Sequence, residues 1–468
     1  MEILKPKTIF EPFRIKVMEP LPITTASERH RALQKAYYNL FTLPAHQVTF
    51  DLLTDSGTSA MSAAQWAGMM IGDESYAGAK SYFRFSEVVN DITGHPHIIP
   101  THQGRSAEAL LTQAFLKPGQ IVLGNTHFDT TRANIESHGG IAVDLPDPAT
   151  QNSALEEPFK GNIDLQALQK NIAEKQSQIA FVIMTVTNNS VGGQPVSMKK
   201  LQQTRELLLQ HNIPLFIDAA RFAENAFFIK CREKGYGDKN IKAIAQEMFS
   251  LSDGVLMSAK KDAFGNTGGF LALRDEGLAQ EIRSLMVITE GFPTYGGLTG
   301  RDMEAIAVGL EEILDDHYLS YRIRSIQYFG EGIVHAGLSV VRPFGGHAVY
   351  IDAEKSLPHL KALQYPGQSL SIALYEYIGI RSVEVGSVML GRRDWEKGEE
   401  HPAPKELVRL AIPRRVYTQS HIDYMIEVIG QIVPQLKNLP GYRIDYQAKF
   451  LRHFTARFSP IKSNKKQS

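Results

Sequence analysis

The sequence has a single cysteine, Cys231, and no long apolar run. One cysteine cannot form an internal disulfide, which suits a reducing compartment. No window approaches the roughly 20 apolar residues that a membrane-spanning helix needs. Residues 1–18 mix charged residues and prolines with apolar ones, so they lack the apolar core of a signal peptide. We therefore expect a cytoplasmic protein.

The chain also lacks net charge, because 50 Lys and Arg balance 50 Asp and Glu. No net field would draw it to nucleic acid or to an anionic membrane. We find no fixed-period repeat and no low-complexity tract. Its 468 residues, 43% of them hydrophobic and 21% charged, allow two or three ordinary globular domains. These features indicate an ordinary soluble globular protein.

Strand-like and helix-like segments alternate from residue 50 onward. Strands are predicted at 120–124, 140–144, 179–186, 213–218, 254–257 and 269–273, the last two as an antiparallel pair, with helices at 198–211 and 241–249. The run at 179–186 is almost wholly apolar, as in a parallel strand buried on both faces. The alternation predicts an α/β domain with a mostly parallel sheet over residues 51–310.

The two ends of the chain are predicted to form a second domain. Residues 1–50 read as an arm and a helix at 27–40 that complete a smaller α+β domain over 311–468. A long helix at 303–336 would join the two domains, followed by strands at 338–341, 348–352 and 408–412 and helices at 369–377 and 420–436. Residues 463–468 read as a frayed basic tail.

The strand at 254–257 runs directly into Ser258, Lys260 and Lys261. A lysine at the end of a buried strand is desolvated, which lowers its pKa and frees the lone pair for imine formation. On this segment alone, two surface lysines in a loop are an equally good interpretation.

Other polar residues follow the predicted strands, where ligands of open α/β sheets bind. Asp218 ends one strand, with Arg221 just after it, and Asn189 follows another. Gly104 and Arg105 open a helix, a position suited to a phosphate group. Together with the lysine, these groups match the needs of pyridoxal phosphate, namely an imine-forming amine, an acid for the ring nitrogen and a phosphate pocket.

The order of motifs resembles the β-eliminating lyases, the tryptophanase and tyrosine phenol-lyase family. The resemblance covers almost the whole chain and is carried by EPFRI at 11–15, DLLTDSGT at 51–58, GDE at 72–74, PTHQGR at 100–105, GGQPVS at 192–197, RFAENA at 221–226, SAKKD at 258–262, YGGL at 295–298, IPR at 412–414 and RHFTA at 452–456. It implies the α/β aspartate-aminotransferase type of PLP-dependent transferase fold (fold type I), pyridoxal 5'-phosphate as cofactor, and a homotetramer with active sites between subunits.

The resemblance also implies roles for individual residues. Lys261 would hold the cofactor covalently and take the substrate α-proton, with Lys260 as a supporting charge. The remaining cofactor contacts would come from Asp218 at the ring nitrogen, Arg221 beside the ring, Phe128 on its face, Asn189 near it, and Gln103, Gly104, Arg105 and Ser258 at the phosphate. Thr54, Asn189 and Arg414 would bind the substrate carboxylate, and Tyr76, from a neighbouring subunit, would move a proton to the leaving group. Gly57, Glu74 and Asn266 would surround a monovalent cation, usually potassium.

We infer the leaving group from pocket positions at which members of the family that release different leaving groups have different residues. Relative to the phenol-releasing members, this chain has Asp129, Val385, His453 and Phe292 at pocket positions. An acid such as Asp129 can bind an indole N–H, and the absence of arginine at 385 removes the natural partner of a phenolic oxygen. The pattern favours L-tryptophan cleavage to indole, pyruvate and ammonia.

Three alternatives stay open at this point. Thr131, Arg132 and the short 107–128 spacing resemble phenol-lyases, so phenol release from tyrosine is the first. An aminotransferase or cysteine lyase on the same fold is the second. A cofactor-free binding protein is the third, although the expected residue fills each cofactor position.

Overall fold

The structure, a computed structural model, describes residues 9–461. The α-helices in this range are α1 (Ala26–Lys35), α2 (Ala63–Ile71), α3 (Lys80–Thr93), α4 (Gly104–Phe115), α5 (Asp129–Ser137), α6 (Leu165–Lys175), α7 (Met198–Gln210), α8 (Phe222–Arg232), α9 (Ile241–Ser250), α10 (Glu276–Thr289), α11 (Gly300–Glu312), α12 (Asp316–His335), α13 (Ala353–Ser356), α14 (Pro366–Ile378) and α15 (Gln419–Ile432). Short 3₁₀ turns lie at Leu40–Thr42, Ala45–Gln47, Pro148–Gln151, Gln176–Gln178, Asn189–Val191, Ala362–Gln364, Val433–Asn438 and Arg452–Phe454. The tail predicted at 463–468 lies outside the described residues.

The strands, in chain order, are β1 (Phe50–Asp51), β2 (His97–Thr101), β3 (Ile121–Gly124), β4 (Ile141–Asp144), β5 (Ile179–Thr185), β6 (Leu215–Asp218), β7 (Gly254–Ser258), β8 (Gly269–Leu273), β9 (Ala348–Asp352), β10 (Ile380–Arg381), β11 (Val383–Val385), β12 (Arg392–Arg393), β13 (Glu400–His401), β14 (Leu407–Ala411), β15 (Tyr442–Tyr446) and β16 (Arg457–Pro460). Each predicted strand of the first domain is present within one or two residues of its expected ends. The predicted α/β class is confirmed.

The chain divides into two compact units. The large unit is Asp55–Leu319 with Pro413–Arg415, and the small unit holds the chain up to Thr54, Ser320–Ile412 and Val416 onward. The large unit begins four residues after the expected position 51 and ends nine residues after the expected position 310. The return of Pro413–Arg415 to the large unit was not expected from the sequence.

The large unit is built on a seven-stranded sheet of order β2-β8-β7-β6-β5-β3-β4. Strands β7, β6, β5, β3 and β4 run parallel, whereas β8 pairs antiparallel with both β7 and β2. The antiparallel β7–β8 pair is as predicted. Every residue of β5, β6 and β7 is buried, because helices cover both faces of a parallel sheet. The carboxyl ends of these strands therefore meet at one edge.

Helices α4, α5 and α10 cover part of this sheet with apolar side chains. Leu110 and Leu111 of α4, Ile135 of α5, and Ile282 and Met286 of α10 join a core with residues of the strands. Among the described residues, no helix combines the length and apolarity required to cross a bilayer.

The small unit has an antiparallel sheet of order β11-β14-β9 and three two-stranded pairs, β1–β10, β12–β13 and β15–β16. Its core joins α12, α14 and α15 to the sheet, with Phe329, Leu374, Met425 and Leu410 fully or almost fully buried. The α+β character predicted for this part of the chain is present.

Two predicted elements are wrong. The long helix expected at 303–336 is two helices, α11 and α12, because the Asp315 carboxylate accepts the Tyr318 N–H at 2.7 Å and so begins a new helix. The strand expected at 338–341 is reduced to a single bridge between Val340 and Ile351.

Candidate active site

A cavity lies at the carboxyl edge of the large sheet. Its lining brings together most of the residues expected to hold the cofactor, from segments far apart in the chain. The lining residues are Ser56, Gln103, Gly104, Arg105, Glu108, Phe128, Thr130, Thr185, Asn189, Asp218, Ala220, Arg221, Leu256, Ser258, Lys260 and Lys261.

The turn after β7 places Lys261 in this cavity. We call residues 259–265 the lysine turn. It is tightly held: Phe264 N–H donates to the Lys261 carbonyl at 2.9 Å, and Gly265 N–H donates to the Ala259 carbonyl at 3.1 Å. Desolvation, and then the charge of Arg221, lower the pKa of Lys261 to about 8. An amine with this pKa is neutral often enough at neutral pH to act as a nucleophile or a base.

Lys260 also borders the cavity but has a different environment. Burial, and then the charge of Arg105, lower its pKa. Its backbone carbonyl accepts the Gly57 N–H at 2.8 Å. The two adjacent lysines are thus both in the cavity wall, and the loop-surface interpretation is wrong.

Asp218 ends β6 and is 7% exposed. Burial raises the pKa of Asp218, whereas the neighbouring Lys261 and Arg221 charges lower it. Within residues 9–461 its carboxylate accepts the Ala220 N–H at 3.2 Å and forms no ion pair at salt-bridge distance. A buried carboxylate in this state favours an approaching cation, and a protonated pyridine ring is one.

The first turn of α4 packs against the end of β7. A Cβ at Gly104 would lie 2.6 Å from the Ser258 Cβ, and a Cβ at Gly269 would lie 2.6 Å from the Gly104 nitrogen. Only glycine permits this approach, which brings the Ser258 side chain beside the first turn of a helix. That turn has backbone N–H groups without intrahelical acceptors, which suits a phosphate.

Arg221, at the start of α8, is bound to Asp55. Its Nε donates to Asp55 Oδ2 at 2.9 Å and its Nη2 donates to Asp55 Oδ1 at 2.7 Å. Burial opposes the charge, but the Asp55 carboxylate prevails and raises the pKa of Arg221. Arg221 is therefore a fixed cation in the cavity wall.

Arg414 does not have the surroundings expected of a substrate ligand. Its side chain is fully buried, and its guanidinium contacts three carboxylates, Asp55 at 2.8 Å, Glu224 at 2.8 Å and Asp262 at 2.7 Å. It does not line the cavity. Its role as bidentate partner of the substrate carboxylate stays a prediction, and both of its terminal nitrogens bind protein carboxylates in this structure.

Phe128 and Asn189 line the cavity, as expected. Asp129, the first residue of α5, has a carboxylate that accepts the Thr130 N–H at 2.7 Å. Tyr76 is 70% exposed, with its ring 5.6 Å from Phe292 and 5.4 Å from Tyr295. Neither Tyr76 nor Phe292 lines the cavity of this chain.

Three expected substrate or catalytic residues belong to the small unit. Val385 is buried at the end of β11, and Thr54 is the last residue before the large unit. His453 is buried in a 3₁₀ turn, with its ring 5.5 Å from Phe41 and 4.1 Å from Phe454. Their roles stay predictions.

The residues expected around a cation lie partly together. Asn266 Nδ2 donates to the Gly57 carbonyl at 3.1 Å, and a Cβ at Gly57 would lie 3.0 Å from the Asn266 carbonyl oxygen. Glu74 instead accepts from Arg301 Nε at 2.9 Å. Among the described residues, no cluster of three or more His, Cys, Asp or Glu could hold a metal ion. Gly57 and Asn266 are therefore in contact, and Glu74 binds Arg301 in this chain.

Glu108 is a cavity residue that the sequence did not indicate. Its carboxylate accepts from the hydroxyls of Thr130 at 2.8 Å and Thr131 at 2.9 Å. Burial, and then the charge of Asp218, raise the pKa of Glu108 to about 7. Its spacing of four residues from Gly104 on α4 was the available signal, because that spacing puts both on one helix face.

Residues 51–428 match the Beta-eliminating lyase family, and the chain belongs to that family. The predicted family, and with it the pyridoxal-phosphate-dependent fold type I, is confirmed. The protein is thus a pyridoxal-phosphate-dependent lyase.

Within the family, the chain is similar to both tryptophanases and tyrosine phenol-lyases. A tryptophanase of Salinibacter ruber is 56% identical over 453 residues, which cover 97% of this chain and 96% of the relative. A tryptophanase of Hyphomonas neptunium is 54% identical over 455 residues, 97% of this chain and 100% of the relative. A tyrosine phenol-lyase of Clostridium tetani is 48% identical over 449 residues, 96% of this chain and 97% of the relative.

Proposed function

We propose that this protein cleaves L-tryptophan to indole, pyruvate and ammonia in tryptophan catabolism. The observation that carries the proposal is one cavity that holds an amine with a lowered pKa, a buried carboxylate and a glycine-lined helix start. The higher identity to tryptophanases than to tyrosine phenol-lyases favours indole over phenol.

The cavity residues fit pyridoxal 5'-phosphate. Lys261 supplies the amine, Asp218 the partner for the ring nitrogen, and the α4 start with Ser258 and Arg105 a site for the phosphate. Phe128, Asn189 and Arg221 also line the cavity, and Gln103 precedes the helix. When bound, the cofactor supplies an electron sink for the pair left at the substrate α-carbon.

Lys261 is the proposed base. Its amine can remove the substrate α-proton, because a pKa near 8 leaves a useful neutral fraction at neutral pH. Lys260 and Arg221 keep positive charge beside it. Asp218 would supply negative charge to the ring nitrogen of the cofactor and would so keep it protonated. These three side chains act on charge and orientation, whereas Lys261 moves the proton.

The leaving group is the finer part of the proposal. Asp129 would hold the indole N–H, and Tyr76 of a neighbouring copy, with His453, would support proton transfer to the ring. Phe292 and Val385 would shape an apolar pocket without an arginine for a phenolate. Thr54, Asn189 and Arg414 would bind the substrate carboxylate, with Arg414 as the bidentate partner.

We also propose a potassium site, a homotetramer and a cytoplasmic location. The carbonyls of Gly57 and Asn266 provide oxygen ligands of the kind that hard cations prefer. Glu74 would complete the site across a subunit interface if it exchanged Arg301 for the cation. Light scattering of the purified protein, with and without potassium, tests both the assembly and its dependence on the cation.

The direct test is product identification with tryptophan, tyrosine and S-ethyl cysteine offered separately, each with potassium or sodium chloride. We expect indole from tryptophan at the highest kcat/KM, higher in potassium, and little phenol from tyrosine. Phenol release at comparable efficiency would replace this proposal with a tyrosine phenol-lyase. Keto-acid-dependent amino transfer without elimination would point to an aminotransferase.

A further inference from the structure

We propose that Glu108 is a positioning residue for Asp129, which it holds by binding the start of α5, so that the Asp129 carboxylate can receive the N–H of the indole leaving group. Glu108 lies on α4 and lines the cavity, yet the proposed reaction gives it no task. The inference rests on the proposed function, because Asp129 is the residue proposed there to hold the indole. It adds a residue that acts on the choice of leaving group through Asp129.

The Glu108 carboxylate binds the first turn of α5 through both of its oxygens. Oε2 accepts the Thr130 hydroxyl at 2.8 Å, and Oε1 accepts the Thr131 hydroxyl at 2.9 Å. Asn134 Nδ2, one turn further along α5, donates to Oε2 at 3.4 Å. An ionised carboxylate accepts at both oxygens, so it is matched to two hydroxyl donors. We call Glu108, Thr130 and Thr131 the α4–α5 clamp.

The α4–α5 clamp is buried, so its hydrogen bonds are shielded from water. Glu108 is 8% exposed, and Thr130 and Thr131 are each 6% exposed. Burial, and then the Asp218 charge, raise the pKa of Glu108 to about 7. The two threonine hydroxyls oppose this shift, and each does so more strongly than the Lys261 charge. Hydrogen bonds to an ionised acceptor are stronger than those between neutral groups, so the clamp holds α5 firmly.

Other contacts hold α5 further along the helix. Ile135, which joins the apolar core, lies six residues after Asp129 and therefore about 9 Å along the helix axis. Arg132 ties α5 to β4 by donating to the Ala142 carbonyl at 3.1 Å. Phe128, the residue before the helix, makes no side-chain cap in the part of the chain from 9 to 461. The position of the first turn therefore depends on the α4–α5 clamp.

Asp129 is the first residue of α5 and directly precedes the clamp threonines. Its carboxylate accepts the Thr130 N–H at 2.7 Å, so the side chain is held against its own helix turn and must follow any shift of that turn. A misplacement of about 1 Å is enough to impair a group that acts on a substrate. A loosened clamp should therefore weaken the indole contact more than the steps at Lys261, which belongs to the lysine turn.

The test compares Glu108→Gln and Thr131→Val with wild type, in the full chain with pyridoxal 5'-phosphate bound. Glutamine keeps the size of the side chain but accepts at only one atom, and valine keeps the shape of threonine without its hydroxyl. Both variants should lower kcat/KM on tryptophan about tenfold more than on S-ethyl cysteine, as for one lost hydrogen bond to a charged group. Thr131 does not line the cavity, so its effect must pass through Glu108. Equal losses on the two substrates would overturn the inference.

The matched control is Thr112→Val. Thr112 is a buried threonine of α4 whose hydroxyl donates to the Glu108 backbone carbonyl at 2.7 Å rather than to the carboxylate. Its loss should leave the preference for tryptophan over S-ethyl cysteine unchanged. A change of preference as large as that of Thr131→Val would show that the effect arises from the packing of α4 and not from the α4–α5 clamp. If Glu108→Gln does not fold, Thr131→Val carries the test, because it removes no charge.

A double-mutant cycle shows whether Glu108 acts through Asp129. In the Asp129→Thr background, Glu108→Gln should cause little further loss that is specific to tryptophan, since the contact that it positions is already absent. Independent losses that multiply would overturn the inference. If Asp129→Thr is itself not selective, the proposed role of Asp129 fails; if it is selective and Glu108→Gln is not, only this inference fails.

A binding measurement makes the same comparison without turnover. Benzofuran has the shape of indole with an oxygen in place of the N–H, so the ratio of its dissociation constant to that of indole reports the N–H contact. Calorimetry with the cofactor-loaded protein should give a ratio that is several-fold lower for Glu108→Gln and Thr131→Val than for wild type and Thr112→Val. The same ratio in all four proteins would contradict the inference.

Discussion

Two regions of the large unit contain buried charged side chains, and they differ in whether those side chains form ion pairs. In the buried arginine network, each arginine contacts carboxylates at 2.7 to 2.9 Å; its members are Asp55, Arg221, Glu224, Asp262 and Arg414. In the cavity, Lys261 and Asp218 form no ion pair at salt-bridge distance within residues 9–461, and both have pKa values shifted toward the neutral form. Carboxylate partners stabilise the charge of the buried arginines, whereas burial without an ion pair favours the neutral form of Lys261 and Asp218. Lys261 and Asp262 are neighbours in sequence, yet within the described residues only Asp262 forms an ion pair, with Arg414 at 2.7 Å.

The largest effect should come from removing the reactive amine. Lys261→Ala should abolish indole release, because the covalent hold on the cofactor and the proposed base are lost together; base catalysis alone contributes about 10²–10⁴-fold. Lys260→Ala should retain far more turnover, since its amine is only a supporting charge. Steady-state assays of both variants check the contrast, and measurable indole release by Lys261→Ala would count against the role of Lys261.

The second largest effect is expected at Asp218, the carboxylate that ends β6 in the cavity. Asp218→Asn removes the charge that keeps the ring nitrogen protonated, and losing one preorganised electrostatic contact costs about 10²–10³-fold in kcat. The protein should remain folded, because the Asp218 carboxylate has no ion pair to lose in the described chain. Turnover and thermal unfolding, measured on the same preparation, test both halves. A stable variant with unchanged kcat would show that Asp218 takes no part in the reaction.

Substitutions in the buried arginine network should instead lower the free energy of unfolding. Asp55→Asn leaves Arg221 and Arg414 short of one buried charge, and breaking a buried pair typically costs about 3–5 kcal/mol of unfolding free energy. Lys230→Met breaks the half-exposed pair with Asp316 at 3.0 Å, and such pairs contribute about 0–1 kcal/mol. Denaturant unfolding of the cofactor-free chains compares the two. Equal losses would mean that the network is no more than an ordinary set of ion pairs.

A smaller effect is expected at the leaving-group side. Asp129→Thr should lower kcat/KM on tryptophan by about 10–100-fold, as expected for loss of a hydrogen bond to a charged group worth about 1.5–3 kcal/mol. S-ethyl cysteine, whose leaving group needs no indole contact, should be cleaved almost as before. Competition between the two substrates in one reaction gives the ratio directly, and equal losses would remove Asp129 from the indole site.

The smallest change is a shift along the pH axis. Only the neutral Lys261 amine can attack the aldehyde of pyridoxal phosphate, and its pKa is lowered from an ordinary lysine value of about 10.4 to about 8. The rate of cofactor attachment to the cofactor-free chain should therefore rise with pH and level off above about 8. Stopped-flow absorbance measures this profile. A rate that keeps rising toward pH 10 would show that the amine is not activated.

Much of the fold follows from patterns that are local in the chain. The all-apolar run of β5 and the alternation of strands and helices predict the parallel sheet, and strand ends predict where Asp218 and Lys261 meet. The break between α11 and α12 depends on one capping aspartate, Asp315, inside a continuous helical pattern. The spacing of apolar residues alone does not show that one helix ends there and another begins.

The site was less predictable where it depends on ion pairs between residues that lie far apart in the sequence. Asp55 and Arg414 lie 359 positions apart, and Arg414 and Asp262 lie 152 apart. No local pattern predicts the contacts of Arg414 with three protein carboxylates. Glu108 was missed for a similar reason, because its threonine partners lie 22 and 23 positions away.

The most direct test of the account is to reduce the pyridoxal-phosphate-loaded protein with borohydride, digest it and map the labelled peptide. The account predicts a single pyridoxyl label on Lys261, with Lys260 unmodified in the same peptide. A label on Lys260 or on any other lysine, or the absence of label in a protein that binds the cofactor, would contradict it.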